Sequence, residues 1–349
     1  MQIDYLLVGQ GLAGSILADH LISAGYSIHV ISDPSLSNSS QVAGGLYNPV
    51  TGRKLVKTWN CDNLFDYLVP YYNQLEQKVG SQLMYEKPIY RPFLSIEAQN
   101  EWMGSSADGS FDNYVTETFV SSSYGDYVKD DFGGVLLKNC GYVDTACLIQ
   151  KTQDWLKEKN AISLEAFDYD RLTFEEGQVT YGHIKAKGVI FCEGQLSTDN
   201  PWFDWLPFKP VKGELLYIKT DHEPEVIYNR GVFVLKKGDI CKVGATYDNT
   251  NRDNEPTEKA KNELNKKLQD LIKFDYKIVD QKAGIRPATK DRRPFVGQHP
   301  SIKNAFIFNG LGAKGVSLAP FYANQLVQYL KGQGKLDAEV NIERYFSLF

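Results

Sequence analysis

Apolar positions at the start of the chain repeat with two different periods. Residues 3–8 form a short apolar run, and residues 14–24 repeat apolar side chains with the period of a helix. A second short apolar run follows at 27–31, and Gly25 lies where a helix C-terminus favours glycine. The first thirty residues therefore predict a strand, a helix and a second strand.

The same alternation predicts further elements along the chain. We expect strands at 162–167, 187–192, 215–219, 232–235, 240–245 and 305–308. We expect helices at 143–159, 257–272 and 316–330. Asp144 or Thr145 is positioned to cap the first of these helices, and Leu264, Leu268 and Leu271 share one face of the second.

A glycine-rich loop separates the first strand from the first helix. Gly9, Gly11 and Gly14 have the G-x-G-x-x-G spacing, with Leu12 and Ala13 inside the motif. In this setting Gly9 permits a tight turn, Gly11 lets phosphates approach the backbone, and Gly14 lets the helix pack close to the strand. The helix N-terminus stabilises the pyrophosphate charge. The loop therefore predicts a bound dinucleotide.

The order of these elements predicts an α/β protein with two domains. A Rossmann-type dinucleotide-binding domain would carry an inserted, mainly antiparallel β-sheet domain that binds the substrate. We place the first domain at 1–84, 136–206 and 283–349, and the substrate domain at 85–135 and 207–282. A chain of 349 residues is long enough to bury both cores.

Composition and charge narrow the function classes. The net charge of −5 and the lack of a long Lys/Arg block argue against nucleic-acid binding. No apolar run reaches the roughly 20 residues that a membrane span needs, and no leader precedes the first strand, so we expect a cytoplasmic protein. The five cysteines lack the spacing of a metal site, so we expect no metal and reduced thiols.

The end of the second predicted strand normally supplies an acid for the ribose hydroxyls of the cofactor. That position is Ser32, and Asp33 follows it directly. Either Ser32 binds the ribose with Asp33 beside it, or Asp33 begins a turn with Pro34.

Three later segments resemble the D-amino-acid oxidase and glycine oxidase superfamily of FAD enzymes. They are the run at 39–49, the G-x-R-P element at 284–287, and the glycine loop and helix at 310–320. Residues 141–144 and 210–214 also resemble family segments at similar places, so the resemblance spans nearly the whole chain. It implies an FAD cofactor.

The resemblance also implies which residues contact FAD. Ala43, Gly44, Gly45 and Leu46 would line the flavin edge, and Gly194 would lie near the cofactor. The last glycine loop would contact the pyrimidine end of the flavin through Gly312, Ala313, Lys314, Gly315 and Val316. Lys314 would add positive charge there or else be a solvated loop lysine, and Phe167 would pack on adenine or serve as a core aromatic.

The family places its substrate carboxylate on the arginine of the G-x-R-P element, here Arg286. A guanidinium matches a carboxylate with two parallel hydrogen bonds. The alternative is a structural ion pair with Asp291. Tyr228 resembles a tyrosine that lies over the substrate in the family, or else is a surface aromatic. Val232 replaces the second tyrosine of the family pattern. Tyr247 would line the pocket instead, so the pocket would contain tyrosines but not the usual pair of the family.

The position at which covalently flavinylated relatives carry cysteine falls near Gly284, so we expect noncovalent FAD. None of the five histidines has a partner at a catalytic spacing.

The resemblance implies an enzyme that oxidises the CH–NH bond of a small carboxylate-bearing amine by hydride transfer to flavin, with O2 or another electron acceptor. A hydroxy-acid oxidase, the oxidase domain of a tRNA wobble-uridine-modifying enzyme and a flavin-binding protein without turnover are the alternatives.

Overall fold

The computed structural model describes residues 1–36 and 39–349. Its strands, in chain order, are β1 (Gln2–Val8), β2 (Ile28–Ile31), β3 (Leu46–Tyr47), β4 (Val50–Thr51), β5 (Val56–Lys57), β6 (Met84–Glu86), β7 (Ile89–Pro92), β8 (Val115–Phe119), β9 (Gly134–Leu137), β10 (Gly141–Val143), β11 (Ile162–Ser163), β12 (Leu172–Glu175), β13 (Gln178–Tyr181), β14 (Ile184–Phe191), β15 (Val211–Lys219), β16 (Ile227–Arg230), β17 (Val232–Lys237), β18 (Ile240–Gly244), β19 (Lys277–Arg286), β20 (Phe295–Gln298) and β21 (Ala305–Asn309). The α-helices are α1 (Leu12–Ser23), α2 (Ser39–Val42), α3 (Cys61–Val79), α4 (Ile96–Ser106), α5 (Thr145–Glu158), α6 (Glu258–Gln269) and α7 (Gly315–Leu330).

The first large sheet has a parallel centre. Its order is β11-β2-β1-β14-β13-β12, and β21 pairs with β14 and β20. Val8 lies in register with both Ile31 and Phe191, so the carboxyl ends of β1, β2 and β14 meet at one edge. In open α/β sheets this edge is where ligands bind.

Helices α1, α3, α5 and α7 pack against one face of this sheet. Their buried side chains form one apolar core with the strand residues Leu7, Val30 and Ile190. A second core lies on the other face, where Phe191 and Phe203 are fully buried. The sheet is therefore covered on both sides, as a parallel sheet requires.

The second large sheet has the order β19-β15-β18-β17-β16-β7-β9-β8 and is mainly antiparallel. Helix α6 packs on one of its faces, where Leu264 and Leu268 join a core with Val234 and Val243. The predicted fold class is confirmed. The domain limits stay a prediction, and β19 crosses the limit that we placed between 282 and 283.

Local signals at the helix ends agree with the structure. The Asp144 carboxylate accepts a hydrogen bond from the backbone N–H of Cys147, so Asp144 caps α5. Thr257 caps α6 in the same way, and Gly25 has a φ of 89° just after α1. The strand that we predicted at 162–167 ends at Ser163, which is a correction.

Candidate active site

A large cavity lies between the carboxyl edge of the first sheet and one face of the second. Its volume is about 1420 Å³, above the roughly 300–1,000 Å³ of pockets for drug-sized ligands. The cavity therefore has room for a dinucleotide together with a small substrate.

The glycine loop forms one end of this cavity. Gly9 has a φ of 95°, and a Cβ built on it would lie 2.7 Å from the carbonyl oxygen of Cys192. A Cβ on Gly14 would collide with the carbonyl oxygen of Gly9. A Cβ on Gly11 would meet its nearest atom, the Ser40 hydroxyl oxygen, only at 3.7 Å. A side chain at Gly9 or Gly14 would therefore collide with the protein's own backbone. The space beside Gly11 is free of protein atoms and belongs to the cavity.

This end of the cavity fits a pyrophosphate. Helix α1 begins at Leu12, and its N-cap residue Gly11 contributes no capping side chain. Gly9 to Ala13 all line the cavity. The Leu12 N–H donates a hydrogen bond to the Ser40 hydroxyl, 3.3 Å away. The start of the helix directs the positive end of its dipole towards an anion in the cavity.

The two ribose candidates both line the cavity. The Ser32 hydroxyl accepts a hydrogen bond from the backbone N–H of Gln10, 3.3 Å away. The Asp33 carboxylate accepts bonds from the N–H and the hydroxyl of Ser35, so Asp33 begins a turn. That turn leaves Asp33 with free acceptor capacity, and the choice between the two residues stays open.

The segment expected at the flavin edge, Ala43 to Leu46, lines the cavity as well. Gly45 has a φ of 70°, and a Cβ on Gly44 would collide with the ring of Phe233. Behind this segment the Lys242 ammonium donates a hydrogen bond to the Ala43 carbonyl, 3.0 Å away. Burial lowers the pKa of Lys242 to about 8.

The last glycine loop lies at the start of α7, where residues 312–317 line the cavity. Lys314 is not a solvated lysine, because its ammonium contacts the hydroxyls of Thr51 and Thr58 at 3.5 and 3.4 Å. Burial lowers its pKa, and it pairs with no carboxylate among the described residues. A positive charge thus stands beside the N-terminus of a 16-residue helix.

Phe167 and Gly194 also line the cavity. The Phe167 ring is partly buried and stacks on Tyr181 with 4.7 Å between ring centroids, and its contact with adenine stays a prediction. Gly194 has a φ of 61°, and its carbonyl accepts a hydrogen bond from the Asn309 side chain at 2.8 Å.

Arg286 and Tyr247 come together in the cavity, as the sequence predicted. The guanidinium lies against the Tyr247 ring, 4.5 Å from its centroid, and donates one hydrogen bond to the Thr246 carbonyl at 3.1 Å. Burial lowers the pKa of Arg286. The structural alternative is wrong, because the ion-pair partner of Asp291 is Arg344 at 2.9 Å.

Tyr228 lies elsewhere, which corrects our prediction. It is buried in the core under α6, and its hydroxyl lies 3.1 Å from a ring nitrogen of His222. Its neighbour Asn229 lines the cavity instead. Successive strand residues face opposite sides of a sheet, so a shift of one residue decides which side chain reaches the site.

Sequence reasoning missed Glu193 and Arg91. Glu193 lines the cavity just after β14, and its carboxylate accepts hydrogen bonds from Tyr169 at 2.6 Å and Asn200 at 2.8 Å. Burial raises its pKa to about 7. Glu193 could have been predicted from the sequence, because an acid that follows the end of a buried parallel strand lies at the edge of the sheet where ligands bind.

The remaining sequence expectations concern histidines, metal ligands, cysteines and membrane spans. Within the described residues no histidine lines it, and no cluster of His, Cys, Asp or Glu could hold a metal ion. The five cysteines are free thiols. No helix in the described part of the chain has the length and apolar character to cross a membrane.

Comparison with known proteins agrees with this geometry. A family model described as an FAD dependent oxidoreductase matches residues 4–329. The chain belongs to this family. FAD is therefore its cofactor, and the glycine loop, the N-terminus of α1 and the cavity volume fit that molecule.

Three similar proteins illustrate the range of relatives. Glycine oxidase of Pseudomonas aeruginosa is 26% identical over 159 residues, which are 44% of this chain and 44% of that protein. The tRNA 5-methylaminomethyl-2-thiouridine biosynthesis bifunctional protein MnmC of Shewanella amazonensis is 22% identical over 94% of this chain and 56% of that protein. The crystal structure of glycine oxidase from Bacillus cereus has a TM-score of 0.78, 18% identity, and coverage of 95% and 96%.

Proposed function

We propose that this enzyme oxidises the CH–NH bond of an amino acid or secondary amine whose carboxylate binds Arg286. The supporting observation is the state of that guanidinium. It is largely buried, it lines the cavity, and it has no carboxylate within 4.0 Å among the described residues.

A buried guanidinium without a counter-ion is costly, and an anionic ligand would offset that cost. One of the five N–H groups of the Arg286 guanidinium donates to the Thr246 carbonyl. Several donors are therefore left for a ligand. Tyr247, itself 68% exposed, adds a cation–π contact at 4.5 Å from the guanidinium carbon to the ring centroid. These contacts suit two parallel hydrogen bonds to a carboxylate.

The second sheet would supply the rest of the substrate contacts. Leu215 is buried where it lines the cavity, and Phe233 lies against Gly44. The Val232 side chain packs in the core under α6 on the other face of the sheet. Leu215 and Phe233 would exclude water from the amine carbon while Arg286 positions it. When bound, FAD accepts the electrons of this oxidation, and O2 or another acceptor would complete the cycle.

Similarity along 94% of the chain to the tRNA-modifying bifunctional protein supports a second candidate, oxidation of an amine on a modified tRNA base. The net charge of −5 and the lack of a Lys/Arg block count against it.

The deciding experiment is an anaerobic substrate panel. Glycine, N-methylglycine and several D-amino acids are mixed with the holoenzyme, each beside the hydroxy acid of the same carbon skeleton. Bleaching of the flavin band by amines but not by their hydroxy partners supports the proposal. Bleaching by hydroxy acids alone overturns it, and bleaching only by modified tRNA supports the second candidate.

A further inference from the structure

A second arginine in the cavity also lacks a counter-ion. Arg91 lies on β7 and lines the cavity. Its two terminal nitrogens donate hydrogen bonds to the carbonyls of Val50 at 3.0 Å and Gly52 at 2.9 Å. Its Nε is buried with no hydrogen-bond partner, and no carboxylate lies within 4.0 Å among the described residues. Burial lowers its pKa to about 10.

The sheet places a carboxamide beside this guanidinium. Strands β16 and β7 are parallel, with Ile227 in register with Ile89. Two residues on, Asn229 and Arg91 therefore occupy neighbouring positions on the same face. Asn229 lines the cavity, and its side chain makes no hydrogen bond to the described part of the chain. Both residues line the cavity, and the Asn229 carboxamide can bind a ligand beside the terminal nitrogens of Arg91.

Arg91 and Arg286 lie on β7 and β19, five steps apart in the strand order of this sheet. Five steps correspond to about 24 Å across the strands at the usual strand spacing. Phe233, on the strand next to that of Asn229, lies between them.

Charges at the cavity rim do not neutralise Arg91. Arg53 and Lys54 on the β4–β5 hairpin are exposed, and so are Glu97 and Glu101 on α4. These two cations and two anions balance one another and are screened by solvent. Arg230 also lines this end of the cavity, but its guanidinium donates to the backbone carbonyls of Lys129 and Asp270. Arg91 is therefore a cavity-lining guanidinium that no carboxylate of the described residues neutralises.

We propose that the substrate carries a second anionic group, a carboxylate or a phosphate, that binds Arg91 and Asn229. This inference rests on the proposed function, which assigns the first carboxylate to Arg286. The substrate class is then an extended amine with an anionic group at each end, rather than a minimal amino acid.

Binding of unreactive acids to the holoenzyme tests the inference without turnover. Straight-chain monocarboxylates are compared with α,ω-dicarboxylates and ω-phosphonocarboxylates of equal chain length, and affinity is read from the shift of the flavin band. We expect a doubly anionic acid of one preferred length to bind at least about tenfold more tightly than its monocarboxylate, because a charge-assisted hydrogen bond contributes roughly 1.5–3 kcal/mol. The phosphono series identifies which anion fits best.

Two variants locate the effect. In Arg91→Met the preference for the second anion should disappear while monocarboxylate affinity is kept. Arg53→Met removes the same charge from the exposed rim and should keep the preference. If Arg91 only anchors the hairpin, Arg91→Met lowers Tm and weakens both ligand series equally, which overturns the inference.

The wild-type series is decisive even if Arg91→Met fails to fold, because equal affinity of both acid series overturns the inference without any variant. The substrate panel separates the two proposals. A preference for doubly anionic acids that depends on Arg91, in a protein that oxidises no amine, supports the second site and overturns the proposed function. Amine oxidation without a preference for doubly anionic acids supports the proposed function and overturns the second anion site.

Discussion

Gly213 leaves the space that the guanidinium of Arg286 occupies. A Cβ built on Gly213 would lie 2.5 Å from Nη1 of Arg286 and closer still to Nη2 and Cζ. The two residues lie on paired strands, with Gly213 in register with Gly284 and Val211 with Arg286. The missing side chain of Gly213 on β15 therefore allows the Arg286 guanidinium, on the neighbouring strand β19, to lie over it.

Gly213→Ala should therefore displace Arg286 without unfolding the protein, because the colliding atoms end a flexible side chain. We expect affinity for simple carboxylates to fall at least about tenfold, since a misplaced guanidinium loses one of its paired hydrogen bonds. Carboxylate titration of the flavin band measures this. Gly104→Ala is the control, because its Cβ meets nothing within 4 Å and it should change neither affinity nor FAD content.

Arg286→Lys should keep the charge but lose the paired geometry, and we expect kcat/KM to fall about ten- to hundred-fold. Arg286→Ala should be worse, with FAD still bound in both variants. Inhibition by simple carboxylates should weaken in parallel. Asp291→Asn breaks the pair with Arg344 instead, so it should lower Tm and leave inhibition unchanged. Normal inhibition of folded, yellow Arg286→Ala would contradict the proposed function.

Gly11→Val and Gly14→Val should fail in different ways. The protein leaves room for a side chain at Gly11, so that variant should fold and lose FAD because its side chain occupies the phosphate position. At Gly14 a side chain collides with the backbone of Gly9, so that variant should not fold. Circular dichroism and the ratio of flavin to protein absorbance distinguish the two outcomes. Full FAD occupancy in folded Gly11→Val would show that the phosphates lie elsewhere.

Acid precipitation of the purified yellow protein should release the flavin into the supernatant. Gly284 lines the cavity near the position where covalent relatives carry cysteine, and glycine cannot form a thioether. Flavin that stays in the pellet would mean that another residue, such as the cavity-lining Cys192, is attached to it.

Glu193 should make stability depend on pH. Burial raises the pKa of its carboxyl from 4.5 to about 7 in the folded protein. The protonated group therefore stabilises the fold below about pH 4.5, and this contribution is lost as the pH rises through about 7. In Glu193→Gln the free energy of unfolding should change less between pH 5 and pH 8 than in the wild type. Equal pH dependence in the two proteins would contradict this explanation.

Local signals were enough to predict the cofactor end of the site. The spacing of Gly9, Gly11 and Gly14 encodes a turn, a close approach and a helix contact within six residues, so no distant contact is needed to recognise it. Arg286 was found through its neighbours in the G-x-R-P element. The cap at Asp144 was found because a short polar side chain before an amphipathic helix bonds to its first turn.

The substrate end depends on contacts that the sequence does not encode locally. Tyr228 and Asn229 are adjacent, and only the pairing of β16 with β7 and β17 decides which of them faces the cavity. Arg91 follows Tyr90 in a short strand and appears as one charge among apolar residues. What distinguishes Arg91 is that no carboxylate among the described residues lies within 4.0 Å of it. That property depends on the three-dimensional structure and cannot be seen in the sequence.

The central strand β14 lies between the first strand of the chain and one of the last. Its residues pair with β1 on one side and with β21 on the other, so Val8 and Ile307 both flank Phe191. Neighbours so distant in sequence make chain closure slow, because the entropy of long loops is lost before these contacts form. A chain emerging from the ribosome would have its glycine loop early but could not complete the cofactor site until α7 had been synthesised. Added FAD should then speed the last step of refolding more than the first.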